Sequence, residues 1–163
     1  MEKYEFSYKE FMMKKILLLA MAAMLVLVSC ASSPKENQQE QVNQAFEEVY
    51  NQYGSLLILE GAQEYNVQSG DTLSKTSKKF YGQDRGYYFP LIMLASSETV
   101  LDPDTIVPGM VLIVPDLEKN LNDTSVLVNL KSFFTKIADV YKNKKTAAAP
   151  TIRKELLLIA DSF

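Results

Sequence analysis

The chain has 163 residues, with 17 Lys and Arg against 20 Asp and Glu and a formal charge of −3. That length holds one small domain with accessories, not two large ones, and a mildly acidic balance without a basic stripe argues against a nucleic-acid partner. No histidine occurs and Cys30 is the one cysteine, which excludes histidine-based nucleophilic triads, most catalytic zinc sites and any internal disulfide.

Met1 to Phe11 carries Glu2, Glu5 and Glu10, a poor fit to the basic start of a secretion signal, so translation is expected to start at Met12 or Met13, an extended leader being the alternative. Lys14-Lys15 then precede Ile16 to Val28, an unbroken run of apolar and small residues. This run is shorter than the roughly 20 residues that span a bilayer and fits a signal core. Residues 1–29 therefore read as a signal peptide, closing in Leu27-Val28-Ser29-Cys30. Residues 30–41 are rich in Ser, Asn, Gln and Glu, cannot bury a core, and read as a flexible tether. Val42, Phe46, Val49, Tyr53 and Leu57 recur at helical spacing, giving an amphipathic flanking helix within 42–62, from roughly Asn43 to Tyr53. Gly54-Ser55 interrupts it, and Leu56 to Leu59 is a short helix or a strand.

Residues 63–116 form a unit of their own. Tyr65 to Val67 favours a strand, and Ser69-Gly70-Asp71 is a turn. Asp71 is placed to cap a helix starting at Thr72. Leu73, Thr76, Ser77 and Phe80 share one face of that helix, while Lys75, Lys78 and Lys79 form a solvated face. Gly82 ends it in the left-handed conformation. Pro90 suits the first turn of a second helix, with Ile92 and Ala95 inward. Tyr81, Tyr87, Tyr88 and Phe89 read as core between the helices rather than a ligand platform. Asp102-Pro103-Asp104 and Pro108-Gly109 are turns, and Val111 to Val114 is a strand. The order β-α-α-β predicts an α+β module: a two-stranded antiparallel sheet with two helices on it.

Residues 117–163 read as a helical hairpin. Val126, Leu130, Phe133, Ile137 and Tyr141 form one stripe, capped by Asp123 or Thr124 and ended by Asn143-Lys144-Lys145, whose charge suits a helix C-terminus. After a linker at Ala147 to Pro150, Thr151 caps a last helix with Ile152, Leu156, Ile159 and Phe163 on one side. The apolar faces of both helices, and of the helix before the module, are expected to cover one another.

The chemistry of catalysis is thin. No glycine-rich phosphate loop occurs, and no metal-ligand set or cofactor motif is present. A carboxylate pair can serve glycoside hydrolysis, but Asp102 and Asp104 flank a proline and read as turn residues. A unit of this size offers no deep cleft to raise one pKa. The chain is not expected to be an enzyme.

The unit resembles a LysM domain. The matching blocks are Tyr65-x-Val67-x-x-Gly70-Asp71-Thr72-Leu73, Lys79-Phe80-Tyr81-Gly82, Phe89-Pro90-x-Ile92-x-x-Ala95 and Pro103-Asp104-x-Ile106-x-Pro108-Gly109-x-x-Leu112-x-Val114-Pro115, in register. The resemblance implies a β-α-α-β fold that binds glycans containing N-acetylglucosamine, chiefly peptidoglycan in bacteria. It places the ligand in a shallow groove between two loops, one of Gly70, Asp71, Thr72 and Leu73, the other running from Ser96 through Asp104 and Thr105 to Ile106. Leu73 and Ile106 would then meet the acetyl methyl. Three features depart from the family. Thr76 and Ser77 replace a branched aliphatic and an alanine, Ser96 stands where many members have asparagine, and Gln83 to Tyr88 lengthens the link between helices. The longer link marks a subset with Phe-Tyr-Gly, here Phe80-Tyr81-Gly82, some of whose members act as scaffolds or bind small ions.

Leu27-Val28-Ser29-Cys30 likewise looks like a bacterial lipobox, which implies lipidation of Cys30 and a membrane anchor. Ala31 is not the aspartate that retains many such proteins in the inner membrane, so the expected location is the cell envelope, at the periplasmic face of an outer membrane. The alternative to a glycan-binding envelope lipoprotein is an envelope scaffold, with the flanking helices binding a protein partner or the module binding a small ion.

Overall fold

The computed structural model describes residues 34–163. The expected signal peptide, start site, Cys30 and the first tether residues lie outside that range. Contacts divide the chain after Asn37, and the compact unit runs from Gln38 to Phe163.

The first helix, α1, spans Pro34–Tyr53, so residues 34–41 lie within a helix and are not the tether their composition suggests. Its buried stripe is Val42, Phe46, Val49, Tyr50 and Tyr53, which adds Tyr50 to the expected spacing. Polar residues carry α1 beyond that stripe at its start, where Gln39 reaches Asn43 at 3.0 Å and Asp102 at 2.8 Å. Composition alone misses such a continuation, because the helix is held by partners distant in sequence.

Leu56 to Leu59 is neither helix nor strand. The buried side chain of Asn120 explains this: its Oδ1 accepts from the Ile58 N–H at 2.8 Å and its Nδ2 donates to the Ile58 carbonyl at 3.0 Å. One amide thus satisfies both backbone groups of Ile58, and no regular ladder is needed.

Strands β1 (Gln63–Asn66) and β2 (Val111–Val114) pair antiparallel, with Tyr65 opposite Leu112. Between them lie α2 (Leu73–Tyr81), a 3-10 segment (Gln83–Tyr88), α3 (Phe89–Ala95) and a second 3-10 turn (Pro103–Thr105). The β-α-α-β order and the two-stranded sheet are as expected. Pro90 sits in the first turn of α3, where its missing N–H is harmless. Gly82 does end α2 at positive φ, but its ψ of 157° is extended rather than left-handed helical. Thr76 and Ser77 are buried, and each has an acceptor: the Thr76 hydroxyl donates to Thr72 O at 3.2 Å and the Ser77 hydroxyl to Arg85 O at 2.6 Å. Ser77 therefore pins the inserted 3-10 segment onto α2, a task an alanine there has no group to perform.

The C-terminal flank opens with a short helix that spacing does not reveal, α4 (Leu117–Asn122), and then holds the two expected helices packed on each other, α5 (Thr124–Asn143) and α6 (Ala149–Ala160). Asp123 caps α5, accepting from Ser125 and Val126. The last helix begins before the expected cap at Thr151, with Ala148 at its N-cap and Pro150 in its first turn; proline's fixed φ makes it a starter here, not a linker. All five residues of the expected α5 stripe are buried. Aromatic contacts join this flank to α1 and to the module. Tyr141 meets Phe46 edge-on at 5.9 Å and Phe89 at 6.4 Å, Tyr53 meets Phe133 at 5.4 Å, and Tyr88 meets Phe134 at 5.9 Å. Each such pair adds about 0.5–1.5 kcal/mol beyond burial. Helices and module share one core.

Candidate functional site

Two loops issue from the same end of the sheet. Just before the first, Val67 donates to Met110 O at 2.9 Å and accepts from Gly109 N at 3.0 Å, which extends the pairing beyond Asn66 and Val111. The loop start and the turn after the second loop are thereby fixed side by side.

The first loop is closed by its own residues. Gly70 takes a φ of +84°, open to glycine without strain. Asp71 does not cap α2. Its Oδ2 accepts from the Tyr65 hydroxyl at 2.6 Å and from the Gln68 N–H at 2.8 Å, so Thr72 becomes the N-cap, its hydroxyl accepting from Lys75 N at 3.2 Å. The Tyr65 hydroxyl, with help from the Gln68 amide, holds the Asp71 carboxyl below the usual carboxylate range. Lys75 donates to Gly70 O at 2.7 Å, and the Lys79 ammonium lies 4.1 Å from the centre of the Tyr65 ring. Gly70 and Thr72 are exposed, Asp71 is half-buried and Leu73 is buried. The loop presents backbone and polar groups; the Leu73 side chain faces the core.

The second loop follows α3. Ser96 is buried, away from the loop tip, and its hydroxyl accepts from Ile113 N at 2.8 Å on the outer edge of β2. At the far end of the loop, Asp102 is also buried, and it opens the second 3-10 turn. The Thr105 N–H and hydroxyl donate to Asp102 O at 3.0 and 2.7 Å. Asp104 and Thr105 are exposed and Ile106 half-buried. The Asp104 carboxylate pairs with Lys144 at 2.8 Å.

Lys144 is the residue that sequence reasoning passed over. It follows α5 directly, and its side chain is 4% exposed. Its ammonium pairs with Asp102 and lies 5.6 Å from the Phe46 ring and 5.4 Å from the Tyr141 ring. A lysine at a helix end reads as a solvated dipole partner; only the fold shows that it turns inward.

A cleft of about 340 Å³ runs beside the outer edge of β2, lined by Leu57, Leu59, Leu94, Ser96, Thr99 and Val111 among others. Among the described residues, no group of three or more His, Cys, Asp or Glu side chains could hold a metal ion, and no helix is long and apolar enough to cross a membrane.

Residues 65–115 match the family model of the LysM domain. The chain therefore carries a LysM domain, a carbohydrate-binding and typically non-catalytic module that points to glycans containing N-acetylglucosamine, such as peptidoglycan or chitin-like polymers. Comparison with curated proteins and with solved structures gave no match.

Proposed function

We propose that this protein is a non-catalytic peptidoglycan binder of the bacterial envelope, anchored by lipid on Cys30 at the periplasmic face of an outer membrane. The observation that carries the binding reading is the pair of loops at one sheet end, inside a segment that matches LysM. In this reading the exposed backbone of Gly70 to Thr72 pairs with the N-acetyl amide, Thr105 offers a polar edge, and Ile106 meets the acetyl methyl. Asp71, Leu73, Ser96 and Asp104 shape the groove rather than touch the sugar. One shallow site leaves little surplus over the cost of association and binds weakly. Attachment to a membrane beside a repetitive polymer raises the effective concentration and offsets this. More than one acyl chain on Cys30 would make the anchor durable.

The test is co-sedimentation with purified sacculi of the full-length chain carrying Cys30→Ser, which keeps lipid out of the assay. The variant Thr72→Ala/Ile106→Ala is run beside it, both shown folded by circular dichroism. Pelleting of the first and not the second supports the reading. A folded protein that stays in solution refutes it. That outcome would favour the envelope scaffold, for which the cleft beside β2, with exposed Leu59 and Val111, is the surface to cross-link.

A further inference from the structure

We propose that Lys144 and Gln39, which lie outside the LysM segment, are positioning residues for its second loop: by closing on Asp102 they hold Thr105 and Ile106 in the ligand-binding arrangement. This rests on the glycan reading of that loop. Asp102 is held on both of its carboxylate oxygens. Gln39 of α1 donates to Oδ2 at 2.8 Å, Lys144 after α5 pairs with Oδ1, and the Asp104 N–H donates to Oδ1 at 2.9 Å. The carbonyl just before it, Leu101 O, accepts from the Tyr50 hydroxyl of α1 at 3.1 Å. The carbonyl of Asp102 itself takes both donors of Thr105. Two flanking elements therefore grip one residue, and that residue's own backbone sets the next stretch of loop.

The geometry suits a rigid hold. An exposed ion pair gains little and moves freely. This one is dry on the lysine side, enclosed by Phe46 and Tyr141, and a buried, satisfied polar cluster specifies one arrangement. A loop already in its bound form loses less freedom on binding, and a shallow site depends on that saving. The polar start of α1 and the basic end of α5 then have a purpose that spacing alone does not reveal.

The test uses the full-length Cys30→Ser chain. Lys144→Met alone strands a buried carboxylate and can fail to fold, so Lys144→Met/Asp102→Asn, which leaves the core uncharged, is the working variant. Lys131→Met, which removes only the surface pair with Asp161, is the control. Three quantities are read: melting temperature, amide hydrogen exchange at Thr105 and Ile106, and affinity for tetrameric N-acetylglucosamine and for sacculi. We expect a folded double variant with faster exchange at Thr105 and Ile106 and unchanged exchange at Thr72 and Leu73. Its affinity should fall about tenfold, while the control binds as the parent does. A folded double variant with parental exchange at Thr105 and Ile106 overturns the positioning role. So does faster exchange with parental affinity. If the parent binds neither probe, the glycan reading fails and with it the ligand half of the inference; the hold on the loop then stands or falls on the exchange rates.

Discussion

The two loops at the sheet end are held by opposite means. The first is closed from within: Tyr65, Gln68 and Lys75 reach it across sequence separations of 6, 3 and 5. The second is held from outside, by Gln39, Tyr50 and Lys144 across separations of 63, 51 and 42. A loop of the first kind carries its geometry in its local sequence. One of the second kind exists only once distant helices have docked, so its shape is tied to the stability of the whole compact unit.

Breaking the outer hold should have the largest effect. Lys144→Met leaves Asp102 buried and charged, with only neutral donors. Removing one partner of a buried pair costs about 3–5 kcal/mol, and a urea midpoint should fall accordingly, with Asp102→Asn restoring most of the loss. The exposed half of the pair behaves differently: the Asp104 side chain is 47% exposed, so Asp104→Asn should cost less than about 1 kcal/mol.

Next comes the link between α4 and the segment ahead of β1. Asn120→Ala strips both partners from the half-buried Ile58 and a donor from Asp116 O. A stranded buried polar group costs about 1–3 kcal/mol, so a loss of about 2 kcal/mol is expected by chemical denaturation. Asn120→Asp loses the donor and sets a buried carboxylate against the Ile58 and Asp116 carbonyls, and should cost at least as much as Asn120→Ala.

These two sites also mark where sequence reading stops. Turn chemistry and period fix what depends on neighbours: the strand at Val111–Val114, proline in the first turn of α3, and the α5 stripe from Val126 to Tyr141. They do not fix what a polar side chain does after folding. Asp71 looks like a cap, yet Tyr65, on the adjacent strand, claims its carboxylate, and Thr72 takes the cap. Gln39 sits in a polar run that reads as tether, and Lys144 in a basic run that reads as a helix end. Both turn inward because Asp102 needs them, and no local spacing encodes that need. Ser96 is the same case within the module: its hydroxyl accepts from Ile113 N on the outer edge of β2, a partnership that no local spacing encodes.

The inner hold should yield less. Tyr65→Phe removes the hydroxyl from Asp71 and should lower the melting temperature only slightly, because the pair is partly open to solvent. It should also let the Asp71 carboxyl titrate closer to its ordinary range, visible by carboxyl NMR. The sign follows from the direction of the shift. A carboxyl held low in the folded state contributes stability that is present above its unfolded pKa, about 3.9. That contribution is lost as pH falls through the lower folded value. The parent should therefore lose stability on acidification below about pH 4, and Tyr65→Phe should lose less over the same window. Equal acid profiles would mean that the Tyr65 contact does not set the Asp71 titration.

The smallest effect should have the opposite sign and sits beside the outer hold. The Tyr141 hydroxyl is buried and finds no hydrogen-bond partner among the described residues, although the ring itself is well used, against Phe46, Phe89 and the Lys144 ammonium. Tyr141→Phe keeps all three ring contacts and removes only the group that lost its hydration on folding. An unsatisfied hydroxyl costs free energy that an apolar replacement of the same shape recovers, here a gain below about 1 kcal/mol because a small void remains. A thermal melt should show a slight rise, with the exchange rates at Thr105 and Ile106 unchanged. A fall would mean that the hydroxyl finds a hydrogen-bond partner in solution.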